Sequence, residues 1–112
     1  LTVVSTGTWV VVLNPDCPLE ALDSERDMLV NVDVDGGPVP TIRFMGGREF
    51  AVISGGWQGV IPLGSIQQAL DAGLMALPSF APGGPISDRS GEIIGGTPSA
   101  AQRAAVALLY VA

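Results

Sequence analysis

The chain predicts an α/β domain in which a mixed sheet, opening with a β-hairpin, is packed by helices. Three observations point to it. Thr2-Val3-Val4 and Trp9-Val10-Val11-Val12-Leu13 are β-branched runs separated by the short polar turn Ser5-Thr6-Gly7-Thr8. Gly46-Gly47 is followed by Arg48 to Ile53, which reads as the start of a helix, and the chain closes on a small-residue apolar stretch that also reads as a helix. With 47% hydrophobic residues in 112, there is ample material for a core, and 15 Gly and 9 Pro fit short elements joined by loops.

Each element has its own local reason. Val and Thr favour the pleated backbone, and a glycine at the reversal makes a tight turn easy. Asn14-Pro15-Asp16-Cys17-Pro18 ends the second strand, because prolines cannot donate to a ladder. Met28 to Val34 alternates as a strand, Asp35-Gly36-Gly37 turns, and Val39 to Phe44 returns, which makes a curled and largely antiparallel start to the sheet. Asp33 and Asp35 flank that turn and read as solvated turn residues rather than a metal pair. Ser54 to Pro62 is a glycine-rich loop in which Trp57 is expected to cap the core. Ser65 to Gly73 is a short amphipathic helix, with Ser65 as its N-cap and Gly73 as its stop. Met75 to Pro78 is expected to return to the sheet, and Glu92-Ile93-Ile94 is a further extended segment after the loop Phe80 to Arg89. Thr97-Pro98 supplies a cap and a first helical residue for the closing helix, whose face carries Ala101, Ala104, Ala105, Leu108 and Leu109. The run starts within a strand and stops within a helix, so residues 1–112 are expected to be a single partial domain.

Composition excludes several functions. The net charge is −6, and the five cations, Arg26, Arg43, Arg48, Arg89 and Arg103, are scattered singly, which argues against a nucleic-acid groove. With no His and one Cys, there is no Ser-His-Asp chemistry, no multi-cysteine metal site and no intrachain disulfide. No metal ligands are therefore assigned. Cys17 lies between Asp16 and Pro18, with no basic neighbour to activate it. A lone thiol, no signal-peptide pattern and no apolar run long enough for a membrane span point to a reducing, cytoplasmic setting without a membrane partner.

Two places carry chemistry. The tip Ser5 to Thr8 offers peptide N–H groups and hydroxyls without side-chain charge, a cradle suited to a phosphate; it also reads as an ordinary hairpin turn. Gly46-Gly47 opens a helix whose free N–H groups can face an anion, and it reads equally as a junction where glycines solve a packing problem.

Taken together, Ser5-Thr6-Gly7-Thr8-Trp9 and the later Arg43-Phe44-Met45-Gly46-Gly47-Arg48-Glu49-Phe50 resemble the second, nucleotide-side domain of the FGGY carbohydrate kinases, in the rhamnulokinase and fuculokinase-like branch. Leu77 to Pro85 resembles the loop that follows in that family, and the Ala-rich end resembles the next helix. The resemblance runs in order over nearly the whole chain. It implies part of a ribonuclease-H-like, actin-like ATPase domain, namely the N-terminal portion of the C-terminal kinase domain. It further implies a parent enzyme that transfers the γ-phosphoryl of MgATP to a hydroxyl of a small ketose or related sugar. Its partners would then be the sugar, the nucleotide and the remainder of the kinase chain, with homodimerisation left open. Gly7 and Thr8 match the family's phosphate-binding turn, with Thr6 beside them. Gly47 matches a glycine that touches nucleotide phosphates, and Gly46 takes a supporting role.

Two family features do not fall within the chain. The general-base aspartate lies upstream of the hairpin in these kinases, and the adenine-binding glycine motif lies beyond the last helix. No Asp here occupies the base position, so the isolated chain is expected to be inactive. Ala81-Pro82-Gly83-Gly84-Pro85 also departs from the Gly-Glu-Arg-Thr-Pro-like loop of several sugar kinases, which leaves the substrate open. The alternative reading is a non-catalytic acidic α/β module that binds a partner.

Overall fold

The valine-rich runs form the first layer of the structure, a computed structural model that describes residues 1–112. Strands β1 (Val3–Ser5) and β2 (Val10–Leu13) make the opening hairpin, and β4 (Pro38–Phe44) pairs with β2. β3 (Met28–Val32) lies on the far side of β4, giving the order β1-β2-β4-β3. Every pairing is antiparallel, as the curled start of the sheet predicts. β4 tolerates Pro38 and Pro40 because its ladder with β2 ends at Leu13 opposite Thr41; both prolines still lie opposite β3, at Val32 and Val30, and the Pro40 carbonyl accepts the Asn14 N–H. β3 stops two residues short of the expected Val34. Asp33 Oδ1 accepts the N–H groups of Asp35 at 2.9 Å and Gly37 at 2.7 Å, and Gly36 takes a positive φ of 83°, so Asp33 belongs to the turn.

A second layer is helical. α1 (Gly46–Ser54) ends at Gly55, and α2 (Leu63–Asp71) is followed by Gly73, both glycines lying in the left-handed region where a helix stops most easily. α3 (Ala100–Val111) packs against both helices. Its alanines let the backbones approach closely, and Ala104, Ala105 and Ala107 are wholly buried with Ile53, Ala69 and Val106. The Arg103 guanidinium donates to the Ile53 carbonyl, left free at the end of α1, and to the Val52 carbonyl, which also accepts the Gly55 N–H. Phe50, Ile66, Phe80 and Tyr110 surround this core.

Three local expectations are corrected. α2 begins two residues before Ser65, with Pro62 at the N-cap, because proline already holds the required φ; Ser65 lies buried in the first turn. α3 is capped by Ser99 rather than Thr97. Ser99 Oγ accepts the Gln102 N–H at 3.2 Å while Gln102 Oε1 accepts the Ser99 N–H at 2.9 Å, and this reciprocal pair outcompetes a lone threonine. β5 (Met75–Leu77) does not join the large sheet. It pairs antiparallel with β6 (Glu92–Ile94) in a separate two-stranded ladder, because Ala76 and Ile93 face the helical core. Trp57 is half-buried, and its indole N–H has no partner.

The molecule is elongated, 49 × 27 × 22 Å. Its radius of gyration of 16.2 Å exceeds the roughly 13 Å of a compact domain this long. The sheet and the helical layer meet chiefly where β4 runs into α1.

Candidate functional site

That junction also holds the hairpin tip. The ladder between β1 and β2 closes at Ser5 opposite Val11, leaving Thr6 to Trp9 as the exposed tip. The backbone N–H groups of Thr6, Gly7 and Thr8 have no acceptor within the chain, and the hydroxyls of Ser5, Thr6 and Thr8 make no hydrogen bond. The tip therefore presents a row of uncommitted donors. The one backbone bond it makes is to the helix: the Gly47 N–H donates to the Thr8 carbonyl at 3.0 Å. Thr6, Gly7, Thr8, Gly46 and Gly47, which lie far apart in sequence, are thus brought into one place.

The three glycines differ in what the fold asks of them. A Cβ on Gly47 would stand 2.9 Å from the Thr8 Cα, and one on Gly46 would stand 2.9 Å from Val10 Cγ2. Both are bare where the hairpin docks on them, and the Gly47 amide donates to the Thr8 carbonyl. Gly7 is different. Its φ is outside the left-handed region, so the reversal does not draw on glycine's backbone freedom, and a Cβ there would meet only the Trp9 carbonyl at an ordinary 3.8 Å. Neither backbone angle nor packing calls for glycine at the tip.

Sequence reasoning missed two supports of this region. Glu49 is only 2% exposed, yet it is fully partnered: its carboxylate accepts from Ser79 Oγ at 2.9 Å, the Phe80 N–H at 2.8 Å and the Ala81 N–H at 3.0 Å. It ties α1 to the loop after β5. The available signal was an acidic residue four positions before Ile53, on the apolar face of α1. Burial pushes the nearby Tyr110 phenol up to about 12, and the Glu49 carboxylate adds to the effect. The second support is Asp27, whose carboxyl is held below the usual carboxylate range by its hydrogen bonds to the Arg43 guanidinium, against the opposing effect of partial burial, with the Gly84 amide contributing. Nothing local in the sequence marks that pair.

The largest cleft lies elsewhere. It encloses about 490 Å³ between the Asp23–Arg26 turn and the loop Pro85–Arg89, and none of the hairpin or glycine-pair residues lines it. The tip is an exposed surface, able to close on a ligand only from one side. No group of three or more carboxylate, cysteine or histidine side chains converges anywhere in the chain. No helix is long and apolar enough to cross a membrane.

The fold and the order of these features have known counterparts. Residues 1–112 match the family described as carbohydrate kinase FGGY, C-terminal domain. The crystal structure of a carbohydrate kinase from Novosphingobium aromaticivorans superposes with a TM-score of 0.78 and 35% sequence identity, covering 98% of this chain. The chain spans 26% of that kinase. Among curated proteins there is no significant match.

Proposed function

The chain belongs to the FGGY carbohydrate kinases, as C-terminal domain sequence of the actin-like ATPase fold, and from that footing we propose that its hairpin tip is a phosphate cradle. In this reading the amides and hydroxyls of Thr6, Gly7 and Thr8 hold the γ-phosphoryl of MgATP during transfer to a hydroxyl of a small ketose or related sugar. Gly46 and Gly47 act by seating the tip on α1. One observation carries the reading: Gly7 has no conformational or packing reason to be glycine, and it sits among donors that no other group in the chain uses. A bare tip lets phosphate oxygens approach the main chain, where converging N–H groups stabilise the charge that spreads over them in transfer.

The donor set suits phosphate better than metal. Magnesium would be carried by the nucleotide's own oxygens and by water, as is usual for this ion. With no carboxylate at the tip, the chain alone turns nothing over, and the catalytic base belongs to the remainder of a kinase chain. Replacing Thr8 by Val in a kinase that contains this domain is expected to lower the rate of phosphoryl transfer about 100-fold with little loss of stability. An unchanged rate would overturn the cradle. So, for the claim of inactivity, would sugar-dependent ATP turnover by the 112-residue chain. A non-catalytic binding module is the second reading, favoured by the exposed valines of β3 and its turn, Val30, Val32 and Val34. It predicts a silent Thr8→Val variant and loss of partner capture when those valines are made polar.

A further inference from the structure

A single ion pair connects the hairpin tip to a turn more than seventy positions further along the chain. The Arg43 guanidinium lies 5.2 Å from the centre of the Trp9 ring, next to the tip. Its Nε and Nη2 donate to Asp27 Oδ1 at 3.2 and 2.5 Å, and the other carboxylate oxygen accepts the Gly84 N–H at 3.2 Å. Asp27 is the one non-glycine residue with a positive φ, 58°. Such a conformation persists where the surroundings over-determine it. Here the Asp27 N–H donates to Ser24 and its carbonyl accepts from Arg43, so backbone and side chain are both held. The turn opposite is equally committed: Gly83 and Gly84 both have positive φ, and a Cβ on Gly83 would stand 3.3 Å from Asp27 Oδ2. Arg26 donates to the Pro85 carbonyl and Ser87 to the Glu25 carbonyl, tethering the same two segments.

We propose that Arg43 and Asp27 are positioning residues that hold the hairpin tip and the Gly83–Gly84 turn as one body. What the tip is held ready to bind rests on the phosphate reading above; the clamp itself does not. Because Pro85, Ile86 and Arg89 also line the largest cleft, the pair links that cleft to the tip.

The test uses the 112-residue chain carrying Trp57→Phe, which leaves Trp9 as its single tryptophan. Arg43→Met and Asp27→Asn are added separately; asparagine tolerates the left-handed backbone, so the second removes charge without disturbing the turn. Each variant is expected to shift Trp9 emission and to speed Gly84 amide exchange by about tenfold. Arg43→Lys recovers part of both effects, keeping the charge but not the planar fork; it also carries the comparison if Arg43→Met does not fold. The proposal is overturned if Trp9 is indifferent to Asp27→Asn and Gly84 is indifferent to Arg43→Met. A separate titration of the parent chain with MgATP reads the Thr6, Gly7 and Thr8 amides. No movement there counts against the phosphate cradle and leaves the clamp's result standing.

Discussion

The helical layer and the four-stranded sheet treat their apolar residues differently. In the helices Ile53, Ala69, Ala104, Ala105 and Ala107 are wholly out of solvent, packed between three elements. In the sheet Val32 is 72% exposed, and Val3, Val4 and Val30 are also open; Val34, in the turn that follows β3, is 99% exposed. The two layers are similarly apolar in sequence, so hydrophobic composition alone does not build a core. Burial needs an opposing surface: the helices cover one another, whereas in the sheet only the central strand β4 is covered, at Val39 to Thr41. What the sheet side does hold firmly is its charge: the Asp27–Arg43 pair is partly buried and joined by two hydrogen bonds. The junction between the layers is made of backbone, with Thr8 resting on Gly47.

The sharpest way to break the comparison is at Glu49. Glu49→Leu leaves the Phe80 and Ala81 N–H groups without their acceptor, while Ser79 Oγ keeps the Ala81 carbonyl, and is expected to cost about 3–5 kcal/mol, read by chemical denaturation. A loss below about 1 kcal/mol would mean that the helical layer does not depend on this anchor. Next comes the joint. Gly47→Ala forces a Cβ against the Thr8 backbone and is expected to cost about 1–3 kcal/mol. Gly7→Ala should change stability by less than about 0.5 kcal/mol, so equal effects at the two glycines would erase the distinction between docking and tip.

The layers should also fail at opposite ends of the pH scale. Tyr110 is the single tyrosine, so its phenolate absorbance reports one site. A phenol pushed up to about 12 contributes stability that is complete below its unfolded value of 10 and lost as pH rises through 12. Asp27, held low, contributes stability that is present above the ordinary carboxylate range and lost as pH falls through its folded value. Alkali should therefore loosen the helical side first, and acid the Arg43 side; Tyr110 absorbance titrating near 10 would sink the first expectation. The smallest effect is expected at Val32→Thr, within about 0.5 kcal/mol in either direction, since that side chain already meets water.

Much of this architecture is legible in the letters, because the determinants are local. The β-branched runs, the Asp33–Gly36 turn and the stops at Gly55 and Gly73 each depend on residues a few positions apart. Caps were harder to place: Ser65, Thr97 and Ser99 are all acceptable by residue type, and only the reciprocal bond with Gln102 singles out Ser99. At the candidate site, the sequence pointed to the tip and the glycine pair as places where a ligand can approach the main chain. It did not say that the two touch, or that Gly46 and Gly47 are bare for the hairpin's sake.

By itself, then, the sequence determined the class of fold, the order of its elements and the uncharged donor-rich tip, since these follow from backbone preferences acting over a turn or two. Tertiary structure alone decided that β5 pairs with β6, that Glu49 anchors the loop 31 positions on, and that Asp27 reaches both Arg43, 16 positions away, and Gly84, 57 away. The physical reason is that a buried charge or a missing Cβ is explained by its partner, and which partner arrives is settled only when distant segments pack together.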